Sequence, residues 1–232
     1  VGESPDREPA LGFTMKLHQY ASPVQAKGVE DTAFYRYNVL LALNEVGGEP
    51  SRVGRTPRQF HAAVSARAER WPFTMTTTAT HDTKLGEDTR LRIAAISEVT
   101  DDWRRELAHW SRLAREQKSA VYGEPAPDRN DESRFYQVLA GAWPAEPFDA
   151  PIPAQAPDTL VERLQQYMEK ATREAKIHTS WISPDEAYDR ALRDFVDGML
   201  RGTTSREFLP AFVPFARRLA RAGAAHSLSQ VL

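Results

Sequence analysis

The stretch Phe73-Thr74-Met75-Thr76-Thr77-Thr78-Ala79-Thr80, running straight on into His81-Asp82-Thr83-Lys84, decides how the rest of the chain is read. It follows a proline, is rich in β-branched residues and alternates poorly between apolar and polar positions. That pattern predicts one short strand covered on both faces. Val24-Gln25-Ala26-Lys27, bounded by Pro23 and Gly28, reads as a second candidate strand. Short strands that each lead into a helix are the signature of α/β architecture. In such folds the carboxyl ends of strands carry the chemistry, because the strand is rigid and the loop after it is free to vary. His81 and Asp82 occupy such an end, with Lys84, Glu87, Asp88, Arg90 and Arg92 close behind. For Glu87, Asp88, Arg90 and Arg92 the plain alternative is a helix start favoured by its acids, followed by a solvated face.

Lys27-Gly28-Val29-Glu30-Asp31-Thr32 repeats the layout, with charges opening a helix that holds Phe34, Tyr35 and Tyr37. Here Asp31 serves equally well as an N-cap, and Tyr35 and Tyr37 as core residues.

Away from these two stretches the sequence reads as helix. Thr56-Pro57 pairs an N-cap with proline at the first helical position, ahead of Phe60, Val64, Ala68 and Trp71 at helical spacing. Thr100 caps a helix with Trp103, Leu107, Trp110 and Ala114 on one face. Gly123, Pro125 and Pro127 predict a loop over 122–129. A short helix from Asp131 follows, with Phe135, Val138, Leu139 and Ala142 as its stripe, then a proline-rich extended connection over 144–157. A long helix begins at Asp158. Ser183-Pro184-Asp185-Glu186 is a capping box that opens another, and Gly202 ends it. Phe208, Phe212, Phe215 and Leu219 mark a last amphipathic helix. The expectation is an α/β chain that is mostly helical in this segment.

Composition narrows the function classes. The 232 residues are 41% hydrophobic with a net charge of -2, which offers no electrostatic footprint for nucleic acid or an anionic membrane. Cysteine is absent, which excludes disulfides, thiolate catalysis and cysteine-ligated zinc, and suits a cytoplasmic setting. No apolar run approaches the roughly 20 residues of a membrane span, and the polar opening is not a signal peptide. The chain lacks an initiator methionine, which suggests a processed or excised segment. No metal or other cofactor is expected.

Two long motifs carry a family resemblance. Ala26-Lys-Gly-Val-Glu-Asp-Thr-Ala-Phe-Tyr-Arg-Tyr-Asn38, with Leu43-Asn-Glu-Val-Gly-Gly48 behind it, resembles a signature of the maltooligosyltrehalose synthases. So does Thr80-His-Asp-Thr-Lys84 with Glu87-Asp88 and Arg90, and further on Lys170, Arg173-Glu174-Ala175-Lys176, Thr179-Ser180-Trp181 and Pro184. Leu85 departs from the pattern, since an arginine is usual there. The resemblance implies membership of the α-amylase-like (β/α)8 barrels, with a large helical insertion in this segment. Its implied organisation is barrel over 1–99, helical insertion over 100–202 and a helix returning to the barrel over 203–232.

The implied activity is an intramolecular transglycosylation of a maltooligosaccharide. The terminal α-1,4 link is replaced by an α,α-1,1 link, which makes a trehalose unit. Retaining enzymes of this kind need an Asp nucleophile and a Glu acid/base about 5–5.5 Å apart. By resemblance Asp82 is the third carboxylate of such a site and His81 its sugar-binding neighbour. Lys27, Glu30, Asp31 and Lys84 are candidates for holding the leaving glucose and keeping water out. Trp181 is a candidate stacking platform, with a buried core tryptophan as its alternative.

Neither the nucleophile motif nor the acid/base glutamate of the family is found. The run from Ala225 to Leu232 reads as the lead-in to a last barrel strand. Two strands cannot close an eight-stranded barrel, so the expected partner is the remaining part of the barrel, on another chain or a missing segment, and this chain alone is expected to be inactive. Two alternatives stand beside this. One is a helical binding or interaction module derived from the fold. The other is a His-Asp metal phosphohydrolase using His61 with His81 and Asp82, which the strand-end position of the pair disfavours.

Overall fold

A computed structural model of the chain describes residues 7–80 and 83–231. Helices dominate it. They are α1 (Arg7–Gln25), α2 (Pro57–Arg70), α3 (Glu87–Ala94), α4 (Thr100–Leu113), α5 (Arg129–Ala142), α6 (Asp158–Ala175), α7 (Glu186–Leu200) and α8 (Ser205–Val231). Between α4 and α5 lies an antiparallel hairpin, β1 (Ser119–Val121) and β2 (Glu124–Ala126). No described helix is long and apolar enough to cross a membrane.

Neither expected strand forms. Residues 73–80 are irregular, and Val24 and Gln25 finish α1 before a π-helical turn at Ala26–Glu30. A lone strand leaves its N–H and C=O groups unpaired, and among the described residues no other strand runs beside either segment. Phe73 and Met75 are each 96% exposed, so the faces expected to be covered are open. The hairpin corrects the loop expected over 122–129, and the run from Ala225 through Val231 continues α8 rather than leading into a strand.

α5 is the centre of the fold. Its N-cap is Asp128, whose Oδ1 accepts the Asp131 N–H at 2.8 Å. From Asp131 to Gly141 every residue but Ser133 is buried, which fits a helix surrounded on all sides. α3, α6 and α8 pack against it. α8 contributes Phe208 and Phe212, whose ring centroids lie 6.2 and 5.1 Å from that of Trp110 in α4. Phe215 completes the aromatic cluster at 5.6 Å. Pro210 and Pro214 fall on the exposed face of α8, where water can serve the carbonyls their missing N–H groups leave free. α7 is capped by Asp185, whose Oδ1 accepts the N–H groups of Ala187 and Tyr188 at 3.0 Å each; the cap therefore lies on Asp185 rather than Ser183.

The part before residue 80 is built differently. α2 has the expected cap, a reciprocal Thr56–Gln59 capping box. Its apolar stripe is nevertheless open, with Phe60 and Trp71 exposed, as are Phe13, Leu17, Tyr20 and Val24 along α1. Isolated exposed apolar residues are ordinary, but contiguous ones mark a surface meant to be covered.

Candidate active-site surface

α5 also positions the site. Two buried side chains reach from it to the segment after the first motif. Gln137 Nε2 donates to the Asn38 carbonyl at 2.8 Å and its Oε1 accepts the Leu41 N–H at 2.9 Å. Arg134 donates to the Tyr35 carbonyl and to Asn38 Oδ1, and its guanidinium lies 5.4 Å from the Tyr35 ring centre. Buried side chains that hydrogen-bond the backbone in this way fix a loop in one conformation. The helix expected around Phe34 and Tyr35 is a single 3-10 turn, Ala33–Tyr35. Both side chains are buried there, and burial pushes the Tyr35 phenol up to about 12.

On this frame the two motifs meet. Asp31 Oδ1 accepts Lys84 Nζ at 2.7 Å and its Oδ2 accepts Lys27 Nζ at 2.6 Å. Those hydrogen bonds, from Lys27 first and then Lys84, hold the Asp31 carboxyl below its usual range. The Asp31 hydrogen bond in turn raises Lys27. Asp31 is therefore a hub for two lysines and not an N-cap. Glu30 lies alongside, its Oε1 accepting the Gly47 N–H at 3.1 Å. The turn at Gly47 borders an open cleft of about 850 Å³ lined by Gly48, Glu49, Arg52 and Arg55.

A second hub went unnoticed in the sequence. Glu45 Oε1 accepts the backbone N–H of Lys84 at 3.0 Å, and Oε2 accepts Arg90 Nη1 at 3.2 Å. Arg90 Nη2 also donates to the Thr78 carbonyl at 2.6 Å. The solvated-face alternative thus fails for Arg90, and equally for Arg92, which donates to the Trp143 carbonyl at the end of α5 at 2.7 Å. Glu87 and Asp88 do open a helix, with Asp88 also accepting from Ser227. Glu45 lies within the 43–48 motif, but an acid between asparagine and valine gives no signal of a partner 45 residues on.

His81 and Asp82 lie outside the described residues. Their neighbours are tied together: Thr83 Oγ1 donates to the Thr80 carbonyl at 2.6 Å. Trp181 is not a core residue. It is about half exposed, donates to Glu174 Oε1 at 3.0 Å and has the Arg173 guanidinium 4.9 Å from its ring centre. Glu174 contributes to raising Lys27, and Lys176 Nζ donates to Thr32 Oγ1 at 3.0 Å. The end of α6 and the loop after it therefore border the Asp31 hub, with Trp181 at the margin.

His61 is exposed on α2 and, among the described residues, stands in no group with metal-ligand spacing. Among the described residues Asp128, Asp131 and His178 do have such spacing, their ligand atoms lying within 4.8 Å of one another. Hydrogen bonds within the protein already use them: His178 pairs with Asp128 at 2.8 Å, and Tyr188 donates to Asp131 at 2.6 Å.

No protein-family model matches the chain. A Mycobacterium tuberculosis (strain H37Rv) protein carrying the name maltooligosyl trehalose synthase is 39% identical over 200 residues, covering 86% of this chain and 23% of that protein. A solved maltooligosyl trehalose synthase is 35% identical with a TM-score of 0.79, over 93% of this chain and 27% of its own. The maltooligosyltrehalose synthase of Arthrobacter ramosus gives 38% identity and 0.71, over 88% and 24%. The chain thus spans about a quarter of the length of the relatives it matches.

Proposed function

We propose that this chain, whose sequence and fold match a stretch of the maltooligosyltrehalose synthases, supplies part of the active site of an intramolecular transglycosylase. In this reading the intact protein replaces the terminal α-1,4 link of a maltooligosaccharide by an α,α-1,1 link. Residues 1–99 belong to a (β/α)8 barrel, 100–202 form a helical insertion and 203–232 return to the barrel. The observation that carries the proposal is the charged network around Asp31 and Glu45, which joins motifs 53 and 39 residues apart into one surface.

The roles follow from chemistry. Asp82 is the carboxylate that holds sugar hydroxyls and favours an oxocarbenium-like geometry, with His81 beside it. Bonds that tighten as positive charge develops lower the barrier. Lys27 and Lys84, oriented by Asp31, and Glu30 are placed to hold the released glucose until the glycosyl group is passed to its anomeric hydroxyl. Holding it converts transfer into an intramolecular step that outruns water. Trp181 offers an aromatic face at the margin of the same surface.

The nucleophile and acid/base are supplied by further polypeptide that completes the barrel. Support for that comes from the open apolar faces of α1, α2 and residues 71–75, which need covering. The test is a trehalose-forming assay on maltopentaose, with this chain alone and with the complementing polypeptide. Activity is expected only with both, and Asp82→Asn should abolish it. Activity from this chain alone would refute the division of the site.

A further inference from the structure

The hairpin carries a residue that its geometry does not favour. β1 and β2 are joined by two residues, Tyr122 and Gly123, since Val121 pairs directly with Glu124. Both central residues have positive φ, 52° and 87°, as in a type I′ turn, where Asn-Gly is the preferred pair. Gly123 fits. A tyrosine in the left-handed region is a genuine outlier, because its Cβ crowds the following carbonyl. Its ring gains nothing from the core in return, being 85% exposed.

What the ring does is wall a cleft of about 580 Å³ between the hairpin, the start of α5 and the loop after α6. That volume lies within the range of small-molecule sites. Val121, Pro125 and Ile177 give it further apolar wall, and His178 and Asp185 set hydrogen-bonding groups around it, with Asp128 lining the cleft and holding His178. Asp185 uses Oδ1 for its helix cap, which leaves Oδ2 for a ligand. Arg129 lines the same cleft, and among the described residues it has no ion pair. An exposed aromatic face beside carboxylate and imidazole groups matches the two aspects of a pyranose, its apolar C–H face and its ring of hydroxyls. The cleft shares its loop with the Asp31 surface: Lys176 bonds Thr32 on one side and His178 bonds Asp128 on the other.

We infer that this cleft is a second α-glucan-binding site, separate from the Asp31 surface, with Tyr122 as its stacking platform and His178 and Asp185 as its hydroxyl-binding groups, while Asp128, whose two oxygens hold the Asp131 N–H and His178 Nε2, orients the imidazole. The ligand class rests on the proposed function. The turn keeps a tyrosine where asparagine would be more stable because the ring is needed in the cleft.

The decisive variant is Tyr122→Asn, which improves the turn while removing the ring. Native gel electrophoresis of the 232-residue chain in soluble starch, with dextran as the control polymer, reads binding directly. The unsubstituted chain should be retarded by starch, released by maltoheptaose and unaffected by dextran. Tyr122→Asn should lose at least five-fold in retardation constant while its melting temperature stays level or rises. Equal retardation of the variant, or none of the unsubstituted chain, overturns the inference. The two readings separate cleanly. A complemented enzyme that makes no trehalose, alongside Tyr122-dependent retardation, sinks the activity and leaves the cleft. Trehalose formation with Tyr122-independent retardation does the reverse.

Discussion

Gly141 and Gly223 let α3 sit against α5 and α8, and replacing the first is the sharpest test of that packing. A Cβ at Gly141 would lie 2.8 Å from Thr89 Cγ2, 2.9 Å from the Thr89 carbonyl oxygen and 3.0 Å from Ile93 Cγ1. At Gly223 it would meet the backbone of Arg92 at 2.9 Å. Gly141→Ala gains about 1 kcal/mol from helix propensity. Against this stands the cost of overpacking, roughly 1–3 kcal/mol. The upper half of that range applies, because the Thr89 carbonyl moves only if α3 moves with it. The net expectation is a loss of about 1–2 kcal/mol, which for a chain of this size lowers Tm by roughly 2–8 °C.

Thermal melts followed by circular dichroism measure this, with Gly12→Ala as the control. Gly12 sits inside α1 with nothing within 4 Å of its Cβ position, so only the propensity gain applies and Tm should not fall. A Gly141→Ala variant melting at or above the parent would mean that the α3–α5 contact is looser than described. The consequence reaches the site, because α3 carries Arg90 to Glu45.

Phe212→Ala removes a fully buried ring whose centroid lies 5.1 Å from those of both Trp110 and Phe208. It should cost about 3–5 kcal/mol, read as a lower urea midpoint at unchanged slope. Asp131→Asn should act in the opposite direction. Burial pushes the Asp131 carboxyl above its usual range, against the hydrogen bond from Tyr188. A carboxyl raised in the folded state loses stability as pH climbs from its unfolded value of about 3.9 through its folded one. The amide escapes that loss and can still accept from Tyr188. Its urea midpoint should therefore exceed the parent's at pH 7, with the gain vanishing below about pH 4; no gain at pH 7 would refute the desolvation argument.

The helical half was legible because periodicity reports burial directly. Leu160, Leu164, Met168 and Ala171 fall at helical spacing and are buried together. The strands were misread for the complementary reason. Thr76, Thr77 and Thr78 have the propensity for a strand, but a strand exists only when another chain segment pairs with it. The hairpin escaped notice because Tyr-Gly is a poor match to the turn it forms and Pro125 argues against a strand away from an edge. At the site, motif position pointed to Lys27, Glu30, Asp31 and Lys84 as one group, of which Lys27, Asp31 and Lys84 are joined directly. Glu45 and Arg134 were invisible, since their meaning lies in partners 45 and 96 residues away.

The network also refines the part Asp31 plays in the proposed site. Both of its oxygens accept from lysines, and those bonds hold the carboxyl ionised at neutral pH. A carboxylate so held is a poor proton donor, because a general acid works best with a pKa near the operating pH. Its oxygens are also less free for sugar hydroxyls than those of Asp82 would need to be. Asp31 is then a positioning residue, and the groups it presents to a ligand are the two ammonium heads. Lys84 is the better fixed of them, since its side chain is mostly buried and its backbone N–H is held by Glu45. Lys27 is largely exposed and anchored through its carboxylate partner alone. If one lysine sets the distance at which the released glucose is kept, it is therefore Lys84, because a side chain fixed at both ends resists displacement by water where a tethered surface lysine does not.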